Sequence, residues 1–400
     1  MEDSSKHQYS KTVSAVMAVA KFILPSRMYA RRLKSWHKRR GDKFYEPMEF
    51  VDWKACLNDP RMDSVLKQML LAYEKSPPEV MPSKYWIALN KKNVAQLLDT
   101  GFENFKQTIA LNYFTWLVDE DNLQVKFLKN NLSPEIVDCA RKKAKASKKH
   151  SLFTARKSRL YNFMTFMLWK YAEQQVGKQI LDKLEEPLLG NPPAMELENR
   201  SISQDLANSA LEFQSLSEGT GDFDNIETVL ELGAGSGRTA YVLLCLKPHI
   251  RYIIVDIPPA LYVSERYLSE VFPERKIFRF REFSDFSEIQ DEFYSSEIIF
   301  LMPGQMKYLP DKSVDLFLAI DCLHEMRLEQ IDFYFNVVDR LAKRFYFTCF
   351  KSTPIPYEDV TIEEKDYPVR AHWQRVFWRI RRVQNNFFEG LVLNDSSKER

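Results

Sequence analysis

Glycine is scarce in this chain, 11 residues in 400, well below the roughly 7% of an average protein. Even so, Gly233, Gly235 and Gly237 alternate along one short stretch just behind Glu231. A glycine-poor chain concentrates the residue where backbone must bend sharply or come close to a ligand. The mostly apolar run 228–232 leads into this stretch and a helical pattern follows, so a ligand is expected at the carboxyl end of that strand. A dinucleotide fingerprint requires GxGxxG, and Arg238 holds the place of its third glycine. Hydride transfer is therefore disfavoured. With no second phosphate to cradle, the loop lets backbone pass close to a small zwitterionic amino-acid tail, with Glu231 beside a cation. Asp256 ends the next strand-like run, and a carboxylate there can accept both hydroxyls of a ribose.

Loop, spacing and acidic strand end together resemble a class I S-adenosylmethionine-dependent methyltransferase. The resemblance implies S-adenosyl-L-methionine as cofactor, held by Glu231, Gly233, Gly235, Gly237 and Asp256. Pro258 and Pro259 after Asp256 look superficially like the proline signature of amino-group methyltransferases. That signature follows the fourth strand and this pair follows the second, so Pro259 is read as a helix start. Gln305 stands where members often carry Asp, and its amide oxygen can accept a hydrogen bond from the adenine amino group. Gln204 lies in the segment 202–209, where enzymes of this fold commonly have a helix that lids the cofactor. It is counted as a cofactor contact, the alternative being that it satisfies buried backbone.

After the fourth strand come Asp321, His324 and Glu325, at the strand end that faces the sulfonium in this fold. Methyl transfer to an alcohol is an in-line displacement that needs alignment and a proton acceptor. Imidazole suits that at neutral pH, so His324 is the first candidate base, against the reading that it caps the next helix or bonds backbone. Asp321 and Glu325 are expected to orient His324 or to hold a divalent cation, the metal requirement being open.

The elements that must position these residues divide the chain. Residues 1–215 read as helical, broken by prolines, with a basic amphipathic segment at 1–45 and a helical domain at 46–215. From 216 to 400 short β-rich runs alternate with helices: 228–232, 252–256, 298–302, 315–320 and 344–350, with 276–280 a rival for the third strand. Such alternation predicts a parallel sheet covered by helices. Runs 376–383 and 387–393 predict an antiparallel hairpin closing the sheet edge.

Lys+Arg 57 against Asp+Glu 55 gives only +2, which offers no global polyanion-binding surface. With 45% apolar and 28% charged residues the chain is globular in composition. Five cysteines without a CxxC pair indicate neither a disulfide framework nor zinc, and a reducing, cytoplasmic setting fits. The apolar stretch 13–24 is too short to span a bilayer. Arg27, Arg31, Lys34 and Lys38 share a helical face. Residues 13–43 are thus either a solvated face or a contact for anionic lipid headgroups or a glycan-assembly partner. The basic stretch 141–159 reads as a solvated helix and loop, its aromatics Tyr161, Phe163 and Phe166 lying beyond the charges.

Further blocks narrow the resemblance. They are Met81 to Trp86, Gly101 to Thr108, Asn112 with Tyr113, Glu186 to Pro192, Ile202 to Ser209, Asp256 to Tyr262, and His324 to Met326. These look like the blocks of the sugar O-methyltransferase family, over residues 80–393. Membership implies methyl transfer to a hydroxyl of a sugar, nucleotide sugar or surface glycan. Trp86, Trp116 and Trp373 are expected as core or as sugar platforms, and His372 as a packing residue or acceptor contact. The rival readings are a nucleic-acid methyltransferase and a non-catalytic assembly subunit of a glycan pathway.

Overall fold

The computed structural model describes residues 56–113, 122–221, 223–354 and 360–394. The expectations for residues 13–43 and for Trp116 lie outside them.

In the first half, helices α1 (Ser64–Tyr73), α2 (Lys84–Thr100), α3 (Leu123–Asn131), α4 (Pro134–Ala146), α5 (Ala155–Val176) and α6 (Gln204–Thr220) dominate. Their starts are written in the sequence. Asp63, Ser83, Asn122, Ser133, Thr154 and Ser203 each accept a first-turn N–H through the side chain, satisfying a donor that has no intrahelical partner. A small antiparallel ribbon, Met195–Leu197 with Arg200–Ile202, precedes α6 and was not expected. It turns at Glu198 and Asn199, both at positive φ, the conformation a two-residue hairpin turn requires.

The second half forms an eight-stranded sheet from β1 (Thr228–Leu232), β2 (Arg251–Val255), β3 (Ile277–Phe278), β4 (Ile298–Leu301), β5 (Leu316–Ile320), β6 (Arg344–Phe350), β7 (Gln374–Ile380) and β8 (Phe387–Leu393), beside a separate antiparallel ribbon of Ser352–Pro354 with Thr361–Glu363. In space the order is β7-β8-β6-β5-β1-β2-β4-β3. The strands β3, β4, β2, β1, β5 and β6 are parallel. β8 runs antiparallel to both β6 and β7. Every residue of β1, β4 and β5 is buried, as expected where helices cover both faces. The rival run 276–280 contributes only the two-residue edge strand β3, beyond β4.

Helices α7 (Arg238–Leu246), α8 (Ala260–Val271) and α9 (Leu328–Leu341) follow β1, β2 and β5. The helical half packs with α6, α7 and α8 against one sheet face in a continuous buried cluster. The opposite face is covered by α9 and by Ile289, Phe293, Met306 and Leu309 from the segments on either side of β4. Order therefore reverses between β1 and β5, and a crevice is expected outside their carboxyl ends.

Candidate active site

That crevice holds a cavity of about 1070 Å³, its open mouth included, lined by the carboxyl ends of β1, β2 and β5 and by residues 80–86 across the mouth.

The glycine loop divides its labour. Gly233 and Gly235 line the cavity at φ of 73° and 60°. A Cβ on Gly233 would stand 2.7 Å from the Cβ of Cys322, so only glycine lets β1 and β5 close at this point. Gly237 is off the cavity. It starts α7 at φ 82°, and a Cβ there would meet Leu268 of α8 at 3.0 Å, so its role is helix packing.

Acidic groups around this loop line the cavity together with the basic side chain of Arg238. Asp256 accepts from the N–H groups of Gly235 and Ile257, both at 2.7 Å. Burial outweighs those bonds and raises its carboxyl to about 7. Glu231 is buried and accepts from the Tyr252 hydroxyl at 2.8 Å; burial raises it to about 7 as well. Asp205, from the first turn of α6, is raised to about 6 by burial and then by nearby Glu186. Arg238 enters the cavity with its guanidinium on Ser209 at 2.7 Å and on both oxygens of Glu212 at 2.8 and 2.9 Å.

At the other end, Glu325 accepts from the Trp86 indole N–H at 3.0 Å. Burial raises its carboxyl to about 8. Asp321 also faces the cavity, at positive φ (57°), but it neither orients His324 nor stands free for a cation. Its two oxygens take the Arg381 Nη1 at 2.8 and 2.9 Å, and Thr348 donates its hydroxyl to one of them. Arg381 binds Glu212 in turn, so Arg238 and Arg381 share that carboxylate.

Three expectations are corrected by placement. His324 lies outside the cavity lining, edge-on to Phe350 at 4.8 Å and to Phe387 at 5.8 Å. Burial lowers its imidazole to about 4, and Nδ1 has no partner. The short turn Leu323–Glu325 carries it to the far side of the strand end and presents its neighbour Glu325 to the cavity. Gln305 does not face the cavity either. Its Oε1 accepts from Met302 N and its Nε2 donates to Arg281 O, both at 2.8 Å, so the amide closes its own turn instead of meeting an adenine. Gln204 is buried, donating to Tyr161 O at 3.3 Å; the next residue, Asp205, is the one that reaches the cavity.

His372 bonds Asp339 at 2.8 Å and Trp373 stacks on Phe335 in the core, whereas Trp86 lines the cavity. Among the described residues no group of three or more His, Cys, Asp or Glu side chains could hold a metal ion. Nor is any described helix long and apolar enough to cross a membrane. Asp205, Arg238 and the pairing of Trp86 with Glu325 were missed from sequence. Asp205 follows the capping Ser203 of a segment already singled out, while the Trp86–Glu325 pair left no local signal.

Strand order and sense, with β8 inserted antiparallel between β6 and β7, define the Rossmann-like sheet of class I methyltransferases. No family model matches the chain, and no curated protein matches it. Among solved structures it is similar to magnesium protoporphyrin IX methyltransferase of Synechocystis PCC 6803, at 11% identity over 48% of this chain and 86% of that one, TM-score 0.33. It is also similar to an S-adenosylmethionine-dependent methyltransferase of Clostridium acetobutylicum, at 11% identity over 46% and 89%, TM-score 0.32. A third is the YcgJ protein of Bacillus subtilis, at 18% identity over 34% of this chain, TM-score 0.24; the match spans half of that protein's length. Likeness of this size carries no inference about activity.

Proposed function

We propose that the protein is an S-adenosylmethionine-dependent O-methyltransferase acting on a hydroxyl of a sugar, nucleotide sugar or surface glycan. One observation carries the reading: a single cavity has a glycine loop with Asp256 and Glu231 at one end and a Trp86-held carboxyl, Glu325, at the other. The donor set fits such a cofactor. Asp205, Glu231 and Asp256 suit a ligand that bears an ammonium and a sulfonium, and Asp256 keeps lone pairs for ribose hydroxyls beyond its two backbone bonds. When bound, S-adenosylmethionine supplies an electrophilic methyl group.

Everything else falls to the chain's own residues. Gly233 and Gly235 permit close backbone approach. Trp86 fixes one oxygen of Glu325, which leaves the other to take the proton of an incoming hydroxyl. A base raised to about 8 is well matched to work near neutrality. A saccharide acceptor is supported by an indole beside a carboxylate, one for a ring face and one for a hydroxyl. Against the nucleic-acid rival, Tyr161, Phe163 and Phe166 beyond the basic stretch are buried and offer no stacking platform. In this reading the enzyme is cytoplasmic, and residues 13–43 take it to an anionic membrane surface or a glycan-assembly partner.

The test is to incubate the protein with labelled cofactor, a panel of sugars and nucleotide sugars, and glycan extracts, following label by mass. Label on a hydroxyl supports the reading. Stabilisation by a nicotinamide dinucleotide but not by S-adenosylhomocysteine refutes it.

A further inference from the structure

We propose that the tip of the helical hairpin formed by α4 and α5 docks on a membrane surface that carries anionic lipid headgroups. This surface is separate from residues 13–43 and independent of the methyl-transfer reading.

From Arg141 to Arg159 the chain has nine Lys and Arg residues and no Asp or Glu. All nine are exposed, in a protein whose net charge is only +2. They gather because α4 and α5 pack against each other and residues 147–154 join them. The last turn of α4, the connection and the first turns of α5 therefore share one end of the hairpin. Arg141 pairs with Asp138, one turn earlier on α4. Lys145, Lys148, Lys149, Lys157 and Arg159 meet no carboxylate at ion-pair distance among the described residues. Stability does not account for this arrangement. Arg156, Lys157 and Arg159 crowd the start of α5, whose first turn holds no acidic residue, and the helix dipole disfavours cations at an N-terminus.

Between Lys149 and Arg156 the connection holds Leu152 outward, 51% exposed. It is firmly anchored. Phe153 is buried, Leu152 N donates to Gln107 Oε1 at 2.9 Å, and His150 N donates to Ser158 Oγ at 3.0 Å. Gln107 Nε2 donates to the Asn191 carbonyl oxygen and Asn191 Nδ2 to Ser151 Oγ, both at 2.9 Å. These bonds tie the turn 188–191 to the hairpin tip. Its Leu188, at 75%, is the most exposed large apolar side chain among the described residues. Leucines presented rigidly beside cations suit a lipid interface, where the charges stay among the headgroups and the apolar side chains enter the acyl boundary. A nucleic acid calls for aromatic platforms, and Phe153, Tyr161 and Phe163 are buried.

The experiment sediments the full chain with vesicles of phosphatidylcholine alone or mixed with phosphatidylglycerol, at low and at physiological salt. Binding should require phosphatidylglycerol and weaken as salt rises. The combined variant Lys148→Gln, Lys149→Gln, Lys157→Gln, Arg159→Gln should lower partitioning ~100-fold or more, each cation near an anionic surface being worth roughly fivefold. Leu152→Ser with Leu188→Ser should lower it about tenfold and keep the salt dependence, since apolar area and not charge is removed. All of these side chains are exposed, so the melting temperature should hold or, for the charge variant, rise. Equal binding to neutral vesicles, no binding to either kind, or undiminished partitioning of the charge variant, as when residues 13–43 alone make the attachment, overturns the proposal. Tighter binding to single-stranded RNA than to anionic vesicles overturns it as well, by making the patch a nucleic-acid site.

Discussion

The carboxyls of the glycine-loop end should couple cofactor binding to proton release. Glu231 and Asp256 are each raised to about 7 by burial, against roughly 4 in an unfolded chain. At pH 6 each is ionised about a tenth of the time, and a cationic ligand needs both ionised. Below pH 7 the apparent affinity should therefore climb roughly tenfold per pH unit for each carboxylate that must ionise. The measurement is calorimetry of S-adenosylmethionine binding, with no acceptor present, between pH 5.5 and 7, below the range where the ligand's own amino group titrates. Heats in buffers of different ionisation enthalpy count the protons released. Glu231→Gln and Asp256→Asn should each remove about one proton and one decade of slope. The ligand-free protein carries the opposite signature. Raised carboxyls make the native state bind more protons than the unfolded one, so this contribution to stability is fully present below about pH 4 and is lost as pH rises from there through about 8. His324, lowered to about 4, works the other way only below about pH 6.5. The melting temperature of the free protein should thus fall from pH 6.5 to 8.5, and saturating ligand should flatten the fall. An affinity that is level across pH, or a slope that survives both substitutions, refutes the reasoning.

Glu325→Gln should lower turnover ~10²–10⁴-fold, the usual loss of a general base, and abolish a rate that otherwise rises with pH toward 8. His324→Phe, filling the same aromatic pocket, should keep near-normal turnover; the reverse pattern would restore imidazole as the base. Arg381→Met leaves Glu212 and Asp321 buried without that counter-charge and should cost about 3–5 kcal/mol in denaturant unfolding. A loss below 1 kcal/mol would show that the network contributes little. Gly233→Ala combines positive φ with a Cβ contact to Cys322 and should cost about 2 kcal/mol or more, checked by the same unfolding curves, while cofactor affinity falls.

Where a run is mostly buried and turn residues bound it, the sequence is easy to read. Strands β1, β6 and β8 sit where their apolar runs indicated, at 228–232, 344–350 and 387–393. Strand β7 was placed too late, at 376–383. Arg381 leaves the ladder to reach Asp321 and Glu212, partners that local pattern cannot reveal. The cavity's glycine-loop end was legible because loop and acidic strand end lie close in sequence. Its acceptor end was not: Trp86 and Glu325 are 239 positions apart. Which of His324 and Glu325 faces inward depends on a single short turn, whose sense is set by the aromatic pocket of Phe350 and Phe387 that receives the imidazole.

The shared carboxylate Glu212 also imposes an order on synthesis. Arg381 lies 169 positions after Glu212 and 60 after Asp321. While the chain emerges from the ribosome, two acidic groups destined for the interior stay without this counter-charge until β7 has been made. Glu212 can pair with Arg238 before then, but the parallel block cannot close around Asp321 without leaving its charge uncompensated. A nascent chain halted before residue 381 should consequently hold its central strands and still leave the crevice wet. Commitment to the closed architecture would come with the hairpin that finishes the sheet.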